Sequence, residues 1–386
     1  MAFAARTFAR PRRLAVAVPG WMRIGVGAWL ATRLAIGAGL TGAYLISAYT
    51  KFPVSLNRFD SIWYVDIAQH GYTAGASPNF FPLLPMLMSG IGRVIAGGRE
   101  PSQTDLLVAG LGVSAIATLV AFCVMAALIE LEADARTAAA AVRLVAAYPL
   151  AFFLAAAYTD GPFLAAALVF FFGIRTRRWS VAALAGLVAG LARPVAPVLT
   201  IAVLGELALE LAMRRTDREP IKGRLFASAG PLIGTGLYAA FLWLRFGDPL
   251  LFVHTETHYW KHVATWPWQT LLYMSERMAH PGVMISLDFG LVLAFGALAV
   301  VMLTRLRPAY GLMTAGLVLA ILVSPTPSHK DAVQSAGRYL LAAFPAFWMA
   351  ARWVVDRPWA EFALIAAGLP LQATLAVLFV LGGQIY

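Results

Sequence analysis

Ionisable side chains are scarce in this chain, so each one set among apolar neighbours invites a chemical reading. The richest stretch is Arg58-Phe59-Asp60-Ser61-Ile62-Trp63-Tyr64-Val65-Asp66-Ile67-Ala68-Gln69-His70-Gly71-Tyr72. Asp60 and Asp66 stand six residues apart, and on a helix that step turns about 600°, which sends them to different faces. They do not make a paired acid–base couple on one face. Two readings stay open: solvated carboxylates on an amphipathic interfacial helix, or one carboxylate held near a membrane surface as a general base. Trp63 and Tyr64 suit an interfacial aromatic belt. The segment Asn79-Phe80-Phe81-Pro82-Leu83-Leu84-Pro85 has its backbone fixed by proline, which suits a wall or lid and equally a helix break. Arg193 lies between apolar runs before Pro194. A buried arginine there needs a partner, and Asp160, at the end of a neighbouring apolar run, is the candidate, in a structural pair or a functional one. Farther on, His254, His258 and His262 with Glu256 fall at i, i+4, i+8. On one helix face they could bind zinc. The order is not H-E-x-x-H and the only cysteine is the distant Cys123. We therefore assign no metal site and read His254 as a hydrogen-bonding residue or part of a solvated loop. Trp260, Trp266 and Trp268 could stack on a sugar or anchor their loop at an interface.

The elements that must position these groups are membrane helices. Of the 386 residues, 60% are hydrophobic and 13% charged, with a mean hydropathy of +0.74. Soluble domains carry about 25% charged residues. The apolar runs are continuous, which excludes a β-barrel, soluble enzymes and most nucleic-acid binders. The net charge of +11 (30 Lys and Arg against 19 Asp and Glu) reads as topology signal and contact with anionic membrane lipids, with no nucleic-acid partner. Arg6, Arg10, Arg12 and Arg13 precede an apolar segment that is too long for a signal peptide and lacks a clear cleavage site, so we expect an uncleaved first helix with a cytoplasmic N-terminus. At ~20 residues per crossing, candidate spans are 21–49, 104–129, 138–157, 161–174, 179–192, 194–213, 225–245, 283–304, 308–324, 339–355 and 358–382. Four basic groups fall in short loops: Arg175/Arg177/Arg178; Arg214/Arg215/Arg218/Lys222/Arg224; Arg305/Arg307; and Arg352/Arg357. Placing all four inside satisfies the positive-inside rule. Loops 50–103, 246–282 and 325–338 then lie outside, with 80–97 re-entrant or on the membrane surface. The expectation is an all-α polytopic membrane protein, a single domain over 1–386 with about eleven transmembrane helices. The large polar loops put its chemistry on the outer face. We find no internal repeat, which weighs against a transporter.

One family carries the same residues in the same order. Phe59-Asp60-Ser61-Ile62-Trp63-Tyr64, Ile67-Ala68, Gly71-Tyr72 and Phe80-Phe81-Pro82-Leu83-Leu84-Pro85 closely resemble the PIG-V type mannosyltransferases of the GT-C superfamily of membrane glycosyltransferases. That family usually has Trp where this chain has Phe59. Further matches are Tyr158-Thr159-Asp160, where the family often ends in Glu; Arg193-Pro194; Gly247-Asp248-Pro249 with Phe252 and His254; and Ser335, Arg338, Tyr339 with Phe344-Pro345. The resemblance covers most of the chain. It implies a GT-C-like bundle with interfacial helices in the first outside loop and a polyprenyl-phosphate-mannose donor. The acceptor hydroxyl would lie on the non-cytoplasmic side, in a glycolipid, lipoglycan or protein. An essential acid belongs in the first outside loop, and Asp60 occupies that place.

Glycosyl transfer from a lipid phosphate needs a base, cations for the leaving phosphate and a groove for the isoprenoid tail. One base suffices for inversion, by analogy with hydrolases. Asp60 is the expected base; Asp66 is structural or contacts the acceptor. For the phosphate, the arginine fork is favoured. The outside candidates are Arg58, Arg193, Lys261, Lys330 and Arg338, with Arg338 first. Trp63, Tyr64, Asp160, His254 and Tyr339 complete the expected substrate-binding set. No cofactor is required; a divalent cation (Mg or Mn) is compatible with the acids. The competing functions are a transporter or flippase for a lipid-linked or anionic solute, a structural subunit, and a metal-dependent intramembrane hydrolase. The high alanine and arginine content points to a bacterial plasma membrane.

Overall fold

The computed structural model describes residues 18–46, 54–213, 221–279, 282–329 and 331–383. The arginines before residue 18, the basic positions 214–218 and Lys330 lie outside these residues. The described residues form sixteen α-helices and no strand. In chain order they are α1 Gly20–Ile46, α2 Asp60–His70, α3 Leu83–Ala96, α4 Gln103–Glu132, α5 Ala135–Ala146, α6 Asp160–Arg175, α7 Trp179–Ala192 and α8 Pro197–Ala212. Then come α9 Ile221–Phe246, α10 Leu251–Tyr259, α11 Pro267–Arg277, α12 Val283–Arg305, α13 Pro308–Leu322, α14 Ala336–Tyr339, α15 Phe344–Val354 and α16 Pro358–Val380.

Five of these, α1, α4, α9, α12 and α16, are long and apolar enough to cross a membrane, and the chain is a multi-pass helical membrane protein. The other expected spans correspond to shorter helices. Helix α3 has 14 residues, about 21 Å at 1.5 Å per residue, short of a ~30 Å hydrocarbon core. Its Leu84 and Met88 pack under α4, while Met86, Val94 and Ile95 are exposed.

Two expected spans are broken. The stretch 138–157 ends its helix at Ala146 and continues as a 3-10 turn, Pro149–Leu154. Pro149 supplies the reason: it disfavours helix at Tyr148 and has no N–H to give. Irregular backbone at membrane depth must find partners inside the protein, and here side chains from other helices provide them. Gln372 Nε2 of α16 donates to the carbonyls of Ala146 and Tyr148, both at 3.0 Å. Thr118 of α4 donates to Leu154 O at 2.6 Å, and Ser114 to Tyr158 O at 3.2 Å. Likewise 339–355 divides into α14, a 3-10 turn (Leu340–Ala342) and α15, with Pro345 in the first turn of α15.

Helices α7 and α9 approach closely because glycines line their contact. A Cβ on Gly190 would strike the backbone of Pro231 and Thr235 across the interface, a small-residue packing typical of membrane helices. This fixes the C-terminal end of α7, where Arg193 stands.

Candidate functional site

Asp60 opens α2 and Arg338 closes the third position of α14; their side chains meet at 2.8 Å between Oδ2 and Nη1. Both are presented by backbone in an unusual conformation. Phe59, before Asp60, has φ 49°, and Ser335, before α14, has φ 70°. Non-glycine residues enter that region at a cost and concentrate at functional sites. The surroundings hold both in place. The Tyr158 hydroxyl accepts from the Asp60 N–H at 3.2 Å and donates to Arg58 O at 3.2 Å. The Gly337 N–H donates to the buried Asp288 Oδ1 at 2.8 Å, and the Tyr148 hydroxyl donates to Gly337 O at 2.9 Å. The Arg338 guanidinium lies 4.9–5.3 Å from the ring centres of Tyr339, Tyr158 and Phe153. Stacking of this kind suits the planar, weakly hydrated guanidinium.

A second pair stands beside the first. Asp160, the first residue of α6, meets Arg193 at the end of α7 at 2.7 Å, with side-chain exposures of 1% and 11%. Arg193 Nε donates to Thr159 Oγ1 at 3.1 Å, and Thr159 shares a hydrogen bond of 3.2 Å with the Tyr64 hydroxyl. Burial pushes the Tyr64 phenol above its ordinary range, so it stays a neutral hydrogen-bonding group. The Arg193 guanidinium lies 5.5 Å from the Tyr339 ring.

Both pairs border one cavity of about 470 Å³. Its polar wall carries Asp60, Tyr64, Thr159, Arg193, Arg338 and Tyr339. An apolar side is made by Val195 and by Leu317, Ala320 and Ile321 of α13, and Asn79, Phe80 and Phe81 close another flank. Glu256 and His262 also line the cavity, with His262 Nε2 and Glu256 Oε2 3.2 Å apart. His262 Nδ1 faces the Ser324 carbonyl at 2.6 Å. Burial raises the Glu256 carboxyl above the usual carboxylate range.

Asp60, Tyr64, Asp160, Arg193, Arg338 and Tyr339 are thus brought together. The other expected substrate-binding residues that the structure describes are not. Arg58 turns to Val380 O at 3.2 Å and contributes its carbonyl to Tyr158. Asp66 is half exposed and engages His70 at 2.8 Å, one turn along α2. Trp63 lies behind the cavity wall, stacked on Phe80 with ring centres 5.6 Å apart. Lys261 is exposed and donates to His258 O at 2.7 Å. His254 is exposed and holds Asp248 at 2.6 Å, outside the cavity. The placement corrects the role expected of His254. The shared-face argument assumed a helix through residue 262, but α10 stops at Tyr259 and Lys261 takes φ 61°. The reversal carries His262 back toward Glu256 and leaves His254 and His258 on the outside. Among the described residues, no three His, Cys, Asp or Glu side chains are grouped to hold a metal ion. Sequence reasoning named Glu256 and His262 only as parts of a zinc set. It missed Tyr158, Thr159 and Asp288 as supports, although Tyr158-Thr159 stood in the resemblance.

No family model matches the sequence, and no curated protein matches it. Solved structures of the oligosaccharyltransferase of Archaeoglobus fulgidus do. The apo form superposes with a TM-score of 0.51 at 13% identity, covering 94% of this chain and 56% of that one. Its complex with Zn and sulfate gives 0.48 at 14% identity, with 94% and 53% covered. The form tethered to an acceptor peptide containing the NVT sequon gives 0.48 at 12% identity, with 95% and 56% covered. The chain spans about half the length of that protein. At this identity the likeness to the apo form is one of fold alone.

Proposed function

We propose that the chain is a membrane glycosyltransferase that moves a mannosyl or other hexosyl unit from a polyprenyl-phosphate donor to an acceptor hydroxyl on the non-cytoplasmic face, with inversion. A glycolipid, lipoglycan or protein would supply the hydroxyl. Asp60 acts as general base. The acceptor oxygen attacks the anomeric carbon, the bond from that carbon to the phosphate oxygen breaks, and the hydroxyl proton passes to the Asp60 carboxylate. The phosphate leaves with the bonding electron pair and is received by Arg338, with Arg193 adjoining. Leu317, Ala320 and Ile321 offer an apolar path for the lipid tail, and about eleven membrane crossings complete the bundle.

The observation that carries this reading is the 2.8 Å Asp60–Arg338 pair in a cavity with one polar and one apolar side. A base and a phosphate-binding cation that neutralise one another are poised for exchange. Arg338 Nε is buried with no hydrogen-bond partner among the described residues, so an arriving phosphate can take donors from the fork. That contact loosens the hold on Asp60 as the acceptor hydroxyl approaches. The shared fold with an oligosaccharyltransferase supports the reaction class.

The test is sugar transfer in membranes from labelled polyprenyl-phosphate mannose. General-base catalysis contributes about 10²–10⁴-fold, so Asp60→Asn at matched expression should lower transfer by that much. Robust transfer in the variant would remove Asp60 from the mechanism.

A further inference from the structure

The end of the bundle opposite the Asp60 cavity holds a second recess that the proposed reaction does not use. Helix α6 begins at Asp160 and ends at Arg175, which at 1.5 Å per residue sets these two roughly 22 Å apart. Beside Arg175 opens a cleft of about 640 Å³. Its floor is a buried charge network. Arg175, with 3% of its side chain exposed, grips Glu206 through two bonds of 2.7 and 2.8 Å and meets Glu132 at 3.1 Å. A buried ion pair survives only with close geometry and satisfied hydrogen bonds, so this floor is rigid.

Above the floor stand Arg305, Arg307 and Arg352, all exposed. Arg307 shares Glu132 at 3.0 Å. Arg352 donates to Arg305 O at 2.8 Å, at the end of α12. Neither Arg305 nor Arg352 has a carboxylate partner among the described residues. The acid at the rim, Asp134, is taken up in capping α5 through Thr137. Trp348 also lines the cleft; it is 2% exposed, and its indole N–H has no acceptor among the described residues. A buried donor without an acceptor is costly. Here it adjoins guanidinium groups left uncompensated, and arginine forks match the oxygens of phosphate.

We propose that this cleft binds a phosphate-bearing anion, as presented by an anionic phospholipid headgroup or by free phosphate. The site is independent of the glycosyl-transfer reading. Anything that binds the folded state alone raises its stability, so thermal unfolding reads occupancy directly. The full-length purified chain would be heated in phosphatidylcholine vesicles, in the same vesicles containing phosphatidylglycerol, and in phosphatidylcholine vesicles with inorganic phosphate at matched ionic strength. The expected result is a rise in unfolding temperature in one anionic arm, abolished in the Arg305→Ala/Arg352→Ala double variant and reduced in Trp348→Phe, which keeps an aromatic side chain of smaller volume and loses the donor, the rise being read against each variant's own temperature without anion. A rise with phosphatidylglycerol alone assigns a lipid headgroup, and a rise with inorganic phosphate assigns a free anion. No rise in either arm, or a rise that the double variant retains, overturns the proposal.

Discussion

Asp60 Oδ2 accepts from the Arg338 guanidinium at 2.8 Å, so that oxygen is occupied while the pair stands. In the proposed reaction Arg338 would turn its fork to the donor phosphate and free Asp60 Oδ2 for the acceptor hydroxyl. Arg338→Lys tests the coupling. Lysine keeps the charge but loses the fork and the stacking on Tyr158 and Tyr339. The loss of a charge-assisted hydrogen bond is worth about 1.5–3 kcal/mol, so donor KM should rise roughly 10–100-fold with a smaller change in kcat; unchanged steady-state kinetics would remove Arg338 from phosphate binding. Glu256 makes a separate prediction. Burial raises its folded-state carboxyl above the ordinary value, so its neutral form is the one the fold favours. The stability it supports is complete below the unfolded-state value and is lost as pH rises through the folded one. Glu256→Gln removes that loss: at low pH the variant should unfold with the wild type, and toward neutral pH it should be the more stable of the two, as read by the apparent unfolding midpoint in detergent across pH. Parallel pH profiles would refute the assignment. At this scale the sequence was partly legible. The charged residues that converge are those whose burial demands a partner, Arg193 with Asp160 above all. The histidine choice went astray because one residue with positive φ, Lys261, ends a periodicity that the spacing alone continued.

Among the elements, apolar run length identified α1, α4, α9, α12 and α16 directly, since a continuous helix satisfies its own backbone wherever it lies. It could not identify the break between α5 and α6, because Pro149 within an apolar run is compatible with a kinked helix as well as with an ended one. What decides is distant: Gln372, 224 residues from Tyr148, supplies the donor for the freed carbonyls. That break turns Tyr158 and Thr159 toward Asp60 and lets α6 begin at Asp160, so the site depends on it. Gln372→Leu keeps a similar volume but leaves the Ala146 and Tyr148 carbonyls without this donor. An unsatisfied buried group costs about 1–3 kcal/mol, and the variant should lose at least that much stability. Transfer activity should fall with it, because the same segment carries Tyr158. Full stability in Gln372→Leu would show that the break is held by other bonds.

For the whole molecule, the two ends of the bundle differ in kind. One end gathers Asp60, Arg193 and Arg338 with the helices α2, α3, α10, α11 and α14, and the other gathers Arg175, Arg305, Arg307 and Arg352. Arginine excess near membrane helices favours the cytoplasmic side because these charges resist translocation. We therefore expect the Asp60 cavity to face outward, where a lipid-linked sugar and its acceptor would meet. Labelling with a membrane-impermeant maleimide tests this orientation with little background, since the native Cys123 is buried. Lys261 stands exposed at the cavity end and Arg178 at the basic end. Lys261→Cys should label in intact cells, and Arg178→Cys should label only after the membrane is permeabilised. The reverse pattern would put the cavity inside and send the reaction to a cytoplasmic acceptor. Labelling of both in intact cells would contradict a membrane lying between the two ends. Because the roughly 22 Å from Asp160 to Arg175 along α6 falls below a full hydrocarbon thickness of ~30 Å, both cavities should then lie just beneath the interfaces. At that depth the proposed lipid donor would reach the Asp60 cavity from the side, and the acceptor hydroxyl of a glycolipid, lipoglycan or protein would reach it from the membrane surface.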